Sequence, residues 1–402
     1  MNLPKRTIFI ILGCIGLLAV SAGLSYLAFK YLPAPSSPSS KTSAISANIT
    51  PTRKPKVDPS LPKNQVCPLN GALFTTPEKN VWDTRRPLAV MIENSVDARP
   101  QSGLGDADVI YEAVAEGGIT RFMALYYCNA ALDDNITLAP VRSARIYFVD
   151  LVSEYDALYT HVGGAGNCDD PNVDPRAKAL CAIQKYNIKD LDEMGRAGDF
   201  NTCHRLANRL DHAVAYEHTM ACFLNALYAT GAKWGWTNVD QNGVPWDKNF
   251  VSWKFMAPGT KATGSPATTV SYAFWQTNPS FQSDYNVFWA YDAATDTYVR
   301  SNGGKQSIDL NTGDPLRFKT VIVEFAKETQ LDDLEKHLLY NVIGTGKGIA
   351  FMNGTATQIT WSKLSRTSRT LFYDATSGKQ LLLNPGPIWI SIVPTGNTVN
   401  YQ

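Results

Sequence analysis

Asp108-Val109-Ile110-Tyr111-Glu112-Ala113-Val114-Ala115-Glu116 sets two carboxylates four residues apart in an apolar run that Gly117-Gly118 closes. In a strand, even spacing puts Glu112 and Glu116 on one face; in a helix, the i,i+4 relation does the same. The flanking sequence decides the fold. Upstream, Leu88-Ala-Val-Met-Ile-Glu93-Asn94 is a short apolar run that suits a central strand. Downstream, 119–128 reads as another strand. Residues 146–155 space their apolar side chains as a helix does, with Ser143 as its candidate cap. Further helical patterns fall at 176–186 and 217–230. Alternating helices and strands predict an α/β layered domain over 65–235.

Beyond residue 235 the texture changes. Short runs of strand-forming residues are separated by turn signals, among them Asn302-Gly303-Gly304, Asn353-Gly354 and Asn384-Pro385-Gly386. Residues 236–402 are therefore expected to form a mostly antiparallel β domain. The fold class predicted is α+β: an N-terminal α/β layered domain followed by that β domain, after a single transmembrane helix.

The transmembrane expectation comes from residues 1–32. Lys5 and Arg6 precede an uncharged run over 7–29, about the ~20 residues that cross a bilayer. Basic residues on the N-terminal side orient the remainder outward. A cleaved signal peptide is the shorter-run alternative. Lipidation of Cys14, preceded by Ile11-Leu12-Gly13, is another. The prediction is an uncleaved single-pass anchor in the cell membrane. Residues 33–64, rich in Pro, Ser and Thr, read as an extended tether.

Composition bounds the function. The net charge is +1, with 18% charged residues. That lacks the basic excess of a nucleic-acid binder. Six cysteines follow Cys14, an even number that suggests disulfides outside the cytoplasm. Closeness in sequence suggests Cys168–Cys181 and Cys203–Cys222. No CxxC pair is present, and no structural metal or cofactor is expected.

Charged residues among apolar ones mark the candidate site. Glu112 and Glu116 can act as an acid/base pair, and His161, ahead of Gly163-Gly164, as a third catalytic group. Arg142-Ser143-Ala144-Arg145, with Arg121, favours an anion, since guanidinium forks match carboxylate and phosphate. Asn94 and Arg99 complete the predicted ligand-binding set. The competing interpretation is structural: the glutamates pair with Arg121, Arg142 and Arg145 and only stiffen the fold.

Several of these motifs carry a resemblance. They are Pro68-Leu-Asn-Gly71, Arg86–Asn94, Ala98–Leu104, Tyr111-Glu-Ala113, Glu116–Phe122, Pro140–Arg145 and His161-Val-Gly-Gly164, with Tyr298-Val-Arg300, Gly344-Thr-Gly-Lys347 and Leu383–Trp389 further on. In these the chain resembles the YerB-like bacterial surface lipoproteins, catalogued as domain of unknown function 3048 with N- and C-terminal parts. The resemblance spans roughly residues 66–395. It implies a bacterial protein facing the cell envelope, and it implies no activity. Three functions follow as expectations: a membrane-anchored binding protein for a glycan or peptidoglycan fragment, a hydrolase or transferase acting through Glu112 or Glu116, or a structural surface protein.

Overall fold

The computed structural model describes residues 57–58, 60–132, 136–193, 202–276 and 283–402. These residues form one compact unit, built on an eleven-stranded mixed sheet. Across that sheet the strands run Ser265–Pro266, Thr355–Lys363, Gly344–Met352, Thr320–Ala326, Ile388–Pro394, Val109–Val114, Thr120–Tyr126, Leu88–Glu93, Leu158–His161 and Lys189–Asp192. Leu371–Asp374 pairs beside Thr355–Lys363.

The strand Ile388–Pro394, near the C-terminus, lies between the halves. It pairs in parallel with Thr320–Ala326 on one side and with Val109–Val114 on the other. Its sequence, Ile-Trp-Ile-Ser-Ile-Val-Pro, is buried from Ile388 to Val393. A strand covered on both faces reads as a near-continuous apolar run, and this one is broken only by Ser391. The ambiguous segment at 108–116 is also a strand, Val109–Val114, fully buried.

A second, six-stranded sheet packs on one face. Its Trp289 meets Trp389 of the central sheet edge-on at 5.5 Å, and Phe318 meets Trp389 at 5.1 Å. The opposite face carries short helical segments. Tyr147 in the helix Ile146–Val152 donates to the Val114 carbonyl at 2.6 Å, and the Tyr155 and Tyr111 hydroxyls lie 2.8 Å apart.

The α+β layered expectation is corrected: the fold is mostly β. The described α-helices are Thr76–Trp82, Ile146–Val152, Ala179–Lys185 and Leu224–Lys233, none longer than ten residues. The pattern at 217–230 resolves into a 3-10 turn Tyr216–His218, a strand Met220–Phe223 and only then a helix. Sheet pairing of Met220–Phe223 with Cys203–Arg205 and Thr137–Leu138 overrides the helical period there. The predicted transmembrane helix lies outside the described residues. Among the described residues no helix is long and apolar enough to cross a membrane, so that part of the fold class is withdrawn.

Three disulfides brace the chain: Cys67–Cys128, Cys168–Cys181 and Cys203–Cys222. Two are the pairs expected from sequence closeness. Beside the first, Asp108 accepts the backbone N–H groups of Tyr127 (2.7 Å), Cys128 (2.9 Å) and Asn129 (3.1 Å), and the Asn70 amide at 2.7 Å. Burial pushes its carboxyl up to about 7, against those hydrogen bonds.

Candidate functional site

Strand direction determines where the predicted residues end up. Val109–Val114, Leu88–Glu93, Leu158–His161 and Lys189–Asp192 all run the same way, with Thr120–Tyr126 antiparallel between the first two. Their carboxyl ends share one edge of the fold, the usual place for a ligand in a sheet of this kind. Glu93, Glu116, His161 and Asp192 lie on or just beyond those ends, with Asp190 two residues before Asp192.

Register then divides the predicted set. Phe122 pairs with Glu112 and Arg121 pairs with Ala113. Cross-strand partners share a face and neighbours alternate, so Glu112 and Arg121 point to opposite faces of the sheet.

Glu112 faces the second sheet. It is fully buried and accepts Arg300 Nη2 at 2.9 and 3.0 Å, Thr120 Oγ1 at 2.9 Å and Trp389 Nε1 at 3.1 Å. The Arg300 guanidinium lies 4.6 Å from the Trp389 ring centroid. Asn94 belongs to the same layer, donating to Thr120 Oγ1 at 2.7 Å and to Asn302 Oδ1 at 2.8 Å. Arg99 holds Asn94 through Oδ1 and the backbone carbonyl, each at 3.0 Å. Burial, and repulsion from Arg300, lower the Arg99 guanidinium to about 10. Glu112, Asn94 and Arg99 thus sit in a buried network joining the first half of the chain to the second.

The other residues gather on the opposite face. Arg145 holds Glu116 through two short hydrogen bonds, Nε to Oε1 and Nη2 to Oε2. Burial alone raises the Glu116 carboxyl, but the charges of Arg145 and Arg121 outweigh it and hold it below the usual carboxylate range. Arg121 donates to the Ser143 carbonyl at 2.9 Å. Burial, the Arg145 charge and the Arg142 charge lower it to about 10, against the pull of Glu116. Arg142 Nε lies 3.3 Å from Glu93 Oε1, and His218 Nδ1 lies 2.8 Å from Glu93 Oε2. Ser143 Oγ donates to the Val162 carbonyl at 2.9 Å; the helix cap is Arg145, so the predicted capping role of Ser143 is corrected.

His161 is buried at the end of its strand. Its Nδ1 lies 2.8 Å from the Gly163 carbonyl and its Nε2 lies 3.0 Å from Asp190 Oδ1. Burial lowers the imidazole, yet Asp190 and Asp192 reverse this and raise it above its ordinary value. Beside it Tyr159 buries its hydroxyl without a hydrogen-bond partner among the described residues. Arg121 and Arg145 act on that hydroxyl electrostatically, as does Asp190.

The structure therefore brings together Arg121, Arg142, Ser143, Arg145, Glu116 and His161, and separates Glu112, Asn94 and Arg99 from them. The sequence reading missed Glu93, Tyr159, Asp190 and Asp192 as members. A usable signal was present for Glu93, a charge at the carboxyl end of an apolar central strand. Tyr159 gave none, since a tyrosine in a buried strand is ordinary core.

Comparison with other proteins agrees with this architecture. Residues 74–220 match the N-terminal domain of the protein of unknown function DUF3048, and residues 277–390 match its C-terminal domain. A Bacillus subtilis (strain 168) protein named "Putative lipoprotein YerB" is 28% identical over 343 residues, covering 84% of this chain and 88% of its own length. A crystal structure of YerB protein from Bacillus subtilis superimposes with a TM-score of 0.64 at 25% identity, covering 84% of this chain and 99% of that one. The chain belongs to the DUF3048 family and carries both of its domains.

Proposed function

We propose that the protein is a cell-envelope binding protein whose Arg121, Arg142 and Arg145 hold an anionic group of an envelope polymer, such as a carboxylate of a peptidoglycan fragment. One observation carries this reading. Of three converging guanidiniums, Arg145 pairs with Glu116 and Arg142 with Glu93, while Arg121 has no carboxylate within ion-pair distance among the described residues. A buried arginine ordinarily has a charged partner. The unpartnered Tyr159 hydroxyl adds a neutral donor at the same place. Placement at the carboxyl ends of parallel strands supports a ligand there.

Acid/base catalysis through the glutamates draws no support from this geometry. Glu112 lies beneath Arg300, Thr120 and Trp389, and Glu116 is held by Arg145 on the other face.

Envelope location rests on the similarity to a protein named as a lipoprotein, and on three disulfides, which persist in oxidising surroundings. A lipid on Cys14 is the anchor consistent with both. Metabolic labelling with a lipid analogue tests it: label on the wild type and none on Cys14→Ser is expected, and equal label on both contradicts it.

The binding reading is tested with solubilised peptidoglycan fragments and the full chain. Saturable binding that weakens in Arg142→Ala is expected. No saturable binding to the wild type contradicts it.

A further inference from the structure

A cavity of about 790 Å³ lies away from the arginine cluster. It lies where the N-terminal hairpin around Gly71 meets the loop 255–261 and three turns of the C-terminal half. Its volume falls within the ~300–1,000 Å³ of ordinary small-molecule sites.

One corner is polar and built from those three turns. Asp296 occupies the turn between Val287–Asp292 and Thr297–Asn302, with a left-handed φ of 52°. Asn353, at φ 51°, lies in the turn between Gly344–Met352 and Thr355–Lys363. Asn384 follows the strand Leu382–Leu383. Asp296 accepts Tyr291 Oη at 2.7 Å, Asn353 Nδ2 at 2.9 Å and Asn384 Nδ2 at 2.9 Å, with Lys319 Nζ at 3.4 Å. These bonds fix the amides and the carboxylate in place before any ligand arrives.

The remaining wall is mostly apolar and aromatic, with Thr260 and Lys261 at the end of the loop. Phe255, Met256, Pro258 and Tyr291 line it. Val66 and Leu73 lie at its N-terminal side, 60% and 42% exposed, which is unusual for neighbouring large apolar residues. The Phe255 ring packs flat on Gly71: a Cβ there would meet Phe255 Cγ at 2.2 Å.

The corner's charge is balanced, because Lys319 faces Asp296. A charged ligand gains little from it, whereas hydroxyl groups can pair with a fixed carboxylate and amides. Aromatic rings beside such a corner suit the apolar face of a ring-shaped ligand. The geometry points to an oligosaccharide site, taking a neutral sugar whose hydroxyls meet the Asp296–Asn353–Asn384 corner. An N-acetyl group would lie against Phe255, Met256 and Leu73. This site is independent of the anion-binding reading.

The test is titration of the full chain with the trimer of N-acetylglucosamine, followed by calorimetry. Ala257, exposed in the loop that lines the cavity, allows a filling variant that leaves the core alone. Saturable binding to the wild type is expected, with at least a tenfold loss in Ala257→Trp. Thermal unfolding of Ala257→Trp at the wild-type temperature ties the loss to the cavity. No saturable binding to the wild type overturns the proposal, and so does equal binding by Ala257→Trp.

Discussion

Glu112 and Arg300, 188 residues apart, form a buried ion pair at 2.9 Å, and the pair joins the two halves of the chain. Glu112 belongs to a strand flanked by Ile388–Pro394, whose Trp389 also donates to it. Breaking one side of such a pair strands a charge in the core, which costs roughly 3–5 kcal/mol. Glu112→Leu and Arg300→Met should each lower the unfolding temperature by many degrees. The double variant Glu112→Leu with Arg300→Met should lose much less than the sum of the two single changes. Differential scanning calorimetry of all four proteins decides it; additive losses would contradict the pairing.

Glu324 gives a pH-dependent prediction. It is fully buried, and neither carboxylate oxygen has a hydrogen-bond partner among the described residues. Burial and the neighbouring Glu154 charge raise it to about 8, against Lys363. A raised folded pKa gives stability that is complete below the unfolded value near 4.5. That stability is lost as pH rises through about 8. Glu324→Gln should therefore unfold at a higher temperature than the wild type at pH 8.5, with the difference vanishing near pH 4. Thermal scans across that range check this, and a difference constant with pH would refute it.

The sheet itself was partly legible in the sequence. Leu88–Glu93 and most C-terminal strands show apolar runs between turn signals, so local pattern alone finds them. The pairing of Ile388–Pro394 with Val109–Val114 was not legible, because parallel partners far apart leave no local trace. The same gap hid the division of the site. Glu112 and Arg121 stand close in sequence and look like one cluster, and only the register Phe122 to Glu112 shows that they face opposite ways. Helical spacing at 217–230 misled for a different reason: pairing with two other strands outweighs a weak helical period.

The disulfides make a third prediction. Cys67–Cys128 closes a 61-residue separation, the longest of the three. In the chain-entropy account longer loops gain more, so its removal should cost about 2–5 kcal/mol. Cys67→Ser with Cys128→Ser should lose more stability than Cys168→Ser with Cys181→Ser, whose separation is 13. Chemical denaturation measures both, and peptide mapping without reductant should recover the three pairs; the reverse ranking would contradict the loop-length argument.

Glu116 supplies a fourth. Its carboxyl is held below the usual range by Arg145 and Arg121 despite burial. A depressed folded pKa gives stability that is present above the unfolded value near 4.5 and lost as pH falls through the folded one. Glu116→Gln should be less stable than the wild type at pH 7 and should approach it at pH 3. It should also unbalance the arginine cluster further, tightening binding of an anionic fragment. Weaker binding by Glu116→Gln would point to a direct role for its carboxylate instead.

The most direct test of the central claim is the affinity of the full chain for peptidoglycan fragments with free carboxylates, compared with the same fragments after amidation. Arg142 is partly exposed, and thermal unfolding of Arg142→Ala separates a loss of binding from a loss of fold. Tenfold weaker binding, about 1.4 kcal/mol, is predicted both for Arg142→Ala with the free acid and for the wild type with the amide. Equal affinity in all these cases would contradict the assignment of the arginine cluster as an anion site.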